Sequence, residues 1–114
     1  MARGLSQSRV HRGEIWFHSF APPDKRRPVL VLSREGVLPL IRTVIVAPIT
    51  SSIRGLPSEV QVGIEEGLKH PSAVNLDHVQ TVEQRDLRQF VGSLGPEKME
   101  AVCRALNVAT GCGD

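Results

Sequence analysis

Three consecutive cations, Lys25, Arg26 and Arg27, run into Pro28 and then into the aliphatic stretch Val29-Leu30-Val31-Leu32. Proline locks its own φ, lacks an N–H and pushes the preceding residue towards extended backbone, so it suits the first residue of a strand. Arg27 is therefore expected at a rigid strand mouth, where a planar guanidinium can grip a phosphate through two parallel hydrogen bonds that lysine cannot reproduce. Further on, Thr50, Ser51 and Ser52 place three hydroxyls just after Pro48, with Arg54 close behind. A proline inside a β-prone run signals a bulge or an edge, which re-aims the residues that follow. His78 adds an imidazole, the side-chain type best matched to proton transfer near neutrality. Together these groups can bind and polarise a phosphodiester without a metal. The bland alternatives are a solvated charge run capping an edge strand and a histidine that is merely packed or exposed.

Short β elements must position these residues. Around Ile15, apolar Ile15 and Phe17 alternate with Trp16 and His18, the period of a half-buried strand. Ala21-Pro22-Pro23-Asp24 makes a stiff connection into the Arg27 strand. Thr43 to Ala47 reads as a central strand interrupted by Pro48, Val60 and Val62 face inward, and Ser72 to Val79 reads as a strand on which Val74, Leu76 and His78 share one face. Thr81 and Gln84 have capping-box spacing for a short helix through Arg88, and Gln89 to Leu94 returns to strand. Gly95-Pro96-Glu97 opens a helix whose stripe is Met99, Val102, Cys103 and Leu106, ending at Gly111. The sum is a mainly β chain with a C-terminal helix, bent into a small barrel. It reads as a single domain over 1–114, with a flexible basic terminus at 1–11 and a flexible tail at 109–114.

At 114 residues and 40% hydrophobic composition, the chain can bury one core without staples. Two cysteines form no disulfide framework, no Cys/His grouping has zinc-ligand spacing, and no cofactor motif is present. There is no glycine-rich phosphate loop and no serine nucleophile elbow; Cys103 reads as a packed, inert thiol, and Glu65-Glu66 as solvated turn surface. The start of the chain has neither a signal peptide nor a membrane span, which predicts a cytoplasmic protein. Residues 1–54 carry nine Lys/Arg against three Asp/Glu, and residues 55–114 five against nine. That polarity points to a polyanionic partner for the first half.

The motifs Arg12-Gly-Glu-Ile-Trp, Arg27-Pro-Val-Leu-Val-Leu-Ser, Val46-Ala-Pro-Ile-Thr-Ser-Ser, Leu56-Pro-Ser-Glu-Val, Pro71-Ser-Ala-Val-Asn-Leu-Asp-His-Val and Val91-Gly-Ser-Leu occur in that order. In this they resemble the MazF/PemK toxin family. The resemblance implies an SH3-like barrel forming a homodimer, sequence-selective cleavage of single-stranded RNA without metal or ribosome, and inhibition by an antitoxin. It puts the family's catalytic arginine on Arg27 and its catalytic threonine or serine on Thr50, with Ser51 and Ser52 beside it. Many members carry a loop glutamate ahead of the arginine; here the shorter loop offers only Asp24 in its place.

A metal-free ribonuclease uses the substrate's 2′-hydroxyl as nucleophile, so it needs a base, an acid and positive charge for the transition state. Arg27 supplies the charge, Thr50 orients a phosphate oxygen or the 2′-hydroxyl, and His78 is the candidate for proton transfer. Asp24, Lys25, Arg26, Ser51, Ser52 and Arg54 are the candidate RNA contacts. An antitoxin with an acidic, partly disordered segment would suit such a basic groove. The rivals are an RNA-binding SH3-like module without turnover and a gyrase poison of the CcdB kind. The second is disfavoured because the tryptophan of this chain is Trp16, far from its C-terminus. Four successive apolar residues at Val29 to Leu32 predict a strand covered on both faces, the second by a partner subunit.

Overall fold

In the computed structural model, which describes residues 8–22 and 25–113, the chain runs through seven strands into one helix. They are β1 (Glu14–Ser19), β2 (Arg26–Val31), β3 (Thr43–Thr50), β4 (Glu59–Val62), β5 (Ser72–Asn75), β6 (Gln80–Glu83), β7 (Gln89–Ser93) and α1 (Pro96–Thr110). All pairings are antiparallel, in the order β4-β5-β3-β2-β1-β7, with β6 also on β3. The expected mainly β fold with a C-terminal helix is the fold observed, a curled half-barrel.

β3 is the spine. One edge pairs with β2; the other pairs first with β6, over Thr43 to Val46, and then with β5, at Ile49 and Thr50. Pro48 sits between the two neighbours, where no partner requires the N–H it lacks. It therefore does not break the strand, which runs unbroken to Thr50.

Alternation along β2 and β3 feeds two cores. Leu30, Ala47 and Ile49 face inward with Val74, Val102 and Ala105, so α1 covers the inside of the curl. Val29, Val31, Val44 and Val46 face outward and are covered by Val10, Trp16, Leu38 and Leu87. The second face of Val29 to Leu32 is thus covered by this chain itself, which removes the argument for a partner subunit there. The same contact corrects the flexible start: Val10 is fully buried, and Arg9 donates to the carbonyls of Gln84 and Leu87. Residues 1–7 and Asp114 of the expected flexible ends lie outside the described residues. Of the expected flexible tail, Ala109 and Thr110 are still helical, and Gly111 caps the helix at φ +74°.

Several local expectations change. His78 is not on a strand, because β5 stops at Asn75 and Leu76 to His78 form a 3-10 turn. Thr81 opens no helix: it lies within β6, paired with Ile45 of β3. Cys103 is exposed, since the buried stripe of α1 is Val102 and Ala105 and position 103 lies one step around the helix. Arg12 donates to its sulfur at 3.3 Å. Glu66 is buried rather than solvated; its Oε1 accepts the Gly63 N–H at 2.7 Å and its Oε2 the Lys98 ammonium at 2.7 Å.

Candidate active site

The β2–β3 ladder pairs Val29 with Pro48 and Val31 with Val46. Continuing that register by two residues brings Arg27 level with Thr50. On the other side of β2, Arg27 pairs with His18 of β1. His18, Arg27 and Thr50 thus form a polar row where the outer core ends at Val29 and Pro48.

Beside this row the sheet forks. β3 leaves β6 and takes up β5, and the chain joining β5 to β6 crosses the gap as the 3-10 turn carrying His78. The gap is a cavity of about 350 Å³ lined by Arg27, Pro48, Thr50 and His78, by Phe20 and Ser52, and by Arg54, Glu59, Asn75 and Gln80. The local geometry is held by short polar contacts. Ser52 donates its N–H to the Thr50 hydroxyl oxygen at 3.0 Å, leaving the Thr50 hydrogen free to point at an anion. Asn75 accepts the Asp77 N–H at 3.0 Å and Ser58 donates to the Asp77 carboxylate at 2.5 Å, so the turn before His78 is pinned from two elements. Glu59 Oε1 accepts the N–H groups of Arg54 and Gly55 at 3.1 and 3.0 Å, folding that loop back so that Arg54 faces the cavity.

Arg27 is exposed, and among the described residues no carboxylate pairs with it. Its guanidinium is open to an incoming phosphate. His18 behind it is held below its ordinary pKa of 6.5 by burial, against the opposing pull of the Asp86 charge. Its Nδ1 is buried without a partner among the described residues, and its ring meets Phe20 edge-on at 4.6 Å. A neutral imidazole there adds no like charge next to Arg27.

Arg27 and Thr50 also line a second cavity of about 370 Å³ on the far side of the row, together with Arg26, Ser51, Lys69 and His70. The sequence-predicted residues therefore divide. Arg27, Thr50, His78, Ser52 and Arg54 meet in the first cavity, and Arg26 and Ser51 meet Arg27 and Thr50 in the second. Lys25, exposed just ahead of β2, lines neither, and Asp24 lies outside the described residues.

Sequence reasoning passed over Glu59, Asn75 and Gln80. Glu59 and Asn75 are cross-strand partners in the β4–β5 ladder, a register that local sequence does not specify. The outward parity of Glu59 beside inward Val60 was the available signal. Among the described residues, no group of three His, Cys, Asp or Glu side chains could hold a metal ion.

A family model described as PemK-like, MazF-like toxin of type II toxin-antitoxin system matches residues 11–110. A probable endoribonuclease MazF5 of Mycobacterium tuberculosis is 45% identical over 104 residues, covering 89% of this chain and 93% of that protein. The solved Mycobacterium tuberculosis toxin MazF-mt6 superposes with a TM-score of 0.80 at 40% identity, over 86% of this chain and 96% of that one. An endoribonuclease from a mycobacterial species, solved in complex with its cognate antitoxin, shares the fold at a TM-score of 0.81 and 23% identity, over 92% and 98% of the two chains.

Proposed function

From the premise that this chain belongs to the PemK-like, MazF-like toxin family of type II toxin-antitoxin systems, we propose that Arg27 and Thr50 hold the phosphate at which it cuts single-stranded RNA. The chain is a MazF-like endoribonuclease toxin. The observation that carries the site is the convergence, on one ridge between two cavities, of a guanidinium that pairs with no carboxylate among the described residues and a hydroxyl whose oxygen accepts the Ser52 N–H.

In the reaction, a base removes the 2′-hydroxyl proton, the 2′-oxygen bonds to phosphorus, and the bond to the 5′-oxygen breaks as that oxygen gains a proton. The products are a 2′,3′-cyclic phosphate and a 5′-hydroxyl. Arg27 neutralises the charge that grows on the non-bridging oxygens, and its fixed fork costs little reorganisation at the moment of reaction. Thr50 donates to one of those oxygens. His78, on its pinned turn in the same cavity, carries the proton, and the Glu59 carboxylate is the other group there able to accept one. Lys25, Arg26, Ser51, Ser52 and Arg54 supply the remaining contacts to the RNA, with Asp24 a further candidate. Asn75 and Gln80 offer amide donors and acceptors for base selection.

The toxin acts in the cytoplasm, and its antitoxin carries an acidic segment that orders over the cations of the groove. No helix among the described residues is long and apolar enough to cross a membrane. Homodimerisation uses a surface other than the outer face of β2: Leu40, Ile41 and Ile45 are exposed large apolar side chains on this chain. Light scattering that returns a monomer mass at micromolar concentration removes the dimer.

Incubation of the purified protein with naked single-stranded RNA in excess chelator tests the reading. Cleavage leaving cyclic phosphate and 5′-hydroxyl ends supports it. Binding without cleavage overturns it in favour of a passive module.

A further inference from the structure

We propose that the cavity on the far side of the Arg27–Thr50 ridge is a second nucleotide subsite, which holds the nucleoside flanking the cleaved phosphate without reading its base. The inference rests on Arg27 and Thr50 holding that phosphate. Because these two residues line both cavities, a phosphodiester gripped on the ridge puts one of its nucleosides on each side.

The two sides differ in chemistry. The first cavity carries a carboxylate and two amides, Glu59, Asn75 and Gln80, which can distinguish base edges by hydrogen bonding. Among the described residues, the second carries neither a carboxylate nor a side-chain amide. Its walls are Phe17, Pro28 and Leu68, and its polar groups are the cations Arg26 and Lys69, the imidazole of His70, and serine hydroxyls. That set suits a base face and a phosphate, and it has little with which to prefer one base.

Arg26 is prepared for stacking. Its guanidinium lies 3.9 Å over the Phe17 ring, and it donates to the Gln89 side chain. With its plane set by a ring beneath and an acceptor at the edge, its outer face is a flat platform on which any base can lie. Lys69 and His70 stand exposed across the cavity, where an adjoining phosphate would meet them. Ser72 donates its hydroxyl to the His70 carbonyl at 3.1 Å, which orders that loop.

The test uses short single-stranded RNA substrates with an abasic residue on one side or the other of the cleaved bond, cut by the wild type, Arg26→Gln, Lys69→Gln and the double variant. Lys69 and Arg26 are both exposed, so these substitutions leave the cores untouched. The double variant should raise KM about tenfold, as expected for one lost stacking platform and one phosphate contact, with kcat within about twofold of wild type. An abasic residue on one side should weaken the wild type by a similar factor and weaken Arg26→Gln no further. Base preference at the cleaved position should be unchanged in Arg26→Gln and Lys69→Gln and altered in Asn75→Ala. A wild-type KM in the double variant, or a changed base preference in Arg26→Gln, overturns the subsite. Failure of the premise reads differently: Arg27→Lys would then cut at the wild-type rate whatever the second cavity does.

Discussion

Arg27 and Arg26 are neighbours in sequence, but Arg27 lines both cavities and Arg26 only the second. Arg27 shares its sheet face with His18 and Thr50, whereas Arg26 lies on the Phe17 ring. Arg27→Lys should therefore keep the long-range attraction for RNA and lose the bidentate fork, so that single-turnover cleavage falls about a hundredfold or more while affinity changes little. Thr50→Val keeps shape and removes the donor, and should slow cleavage without loosening the fold. Arg26→Lys should act on affinity and its salt dependence, with the cleavage step preserved. Single-turnover rates set against RNA affinity decide it. If Arg26→Lys abolishes cutting while the other two cut normally, the active site is misassigned.

At the scale of elements, the curl depends on a backbone contact between the 3-10 turn Ile64–Glu66 and β7. A Cβ on Gly92 would lie 2.0 Å from the Glu66 carbonyl oxygen, and one on Gly67, at φ +94°, 2.4 Å from the Val91 carbonyl oxygen. Both obstacles are main chain, which cannot swing aside as a side chain does. Gly92→Ala should thus lower stability by about 1–3 kcal/mol, the usual cost of forcing volume into a packed site. Gly36→Ala, with open space around it, serves as the control. Equal denaturant midpoints for the two variants would show that the contact does not hold the curl together. The same turn is fixed from α1 by Lys98. Burial pushes the Glu66 carboxyl upward, but the Lys98 ammonium and the Gly63 N–H outweigh it, and the net pKa lies below the ordinary 4.5.

Across the whole molecule, the start of the described chain is fastened to the outer core by charge as well as by Val10. His11 Nδ1 contacts a Glu35 carboxylate oxygen, and the other oxygen accepts the Arg12 N–H at 2.9 Å. The hydrogen bond to Glu35 raises His11 above 6.5, and the bond to His11 lowers Glu35 below 4.5. The histidine contribution is complete below 6.5 and disappears as pH climbs through the raised value; the glutamate contribution is complete above 4.5 and disappears as pH falls through the lowered one. The pair therefore stabilises most between those two ordinary values. Both side chains are about half exposed, at 48% and 54%, which limits the gain to about 0–1 kcal/mol in low salt. Glu35→Gln should lower the midpoint of thermal unfolding slightly at pH 6 and leave it unchanged at pH 9. An equal loss at both would remove the ion pair as the cause.

Local order in the sequence determined the strands at β1, β2, β4 and β7, the proline start of β2 and the limits of α1. In each, the period of apolar residues, or a Pro or Gly with one steric consequence, acts within a few residues. It also marked Arg27, Thr50 and His78 as residues with chemistry to offer. Tertiary structure alone decided that Pro48 stands where β3 exchanges β6 for β5, that the fork becomes a cavity, and that Glu59 and Asn75 face into it across a ladder. It also decided that the second face of β2 is covered from within, by Val10, Leu38 and Leu87. Those outcomes depend on register between strands far apart in sequence, and a residue-level pattern carries the parity of a strand but not the identity of its neighbour.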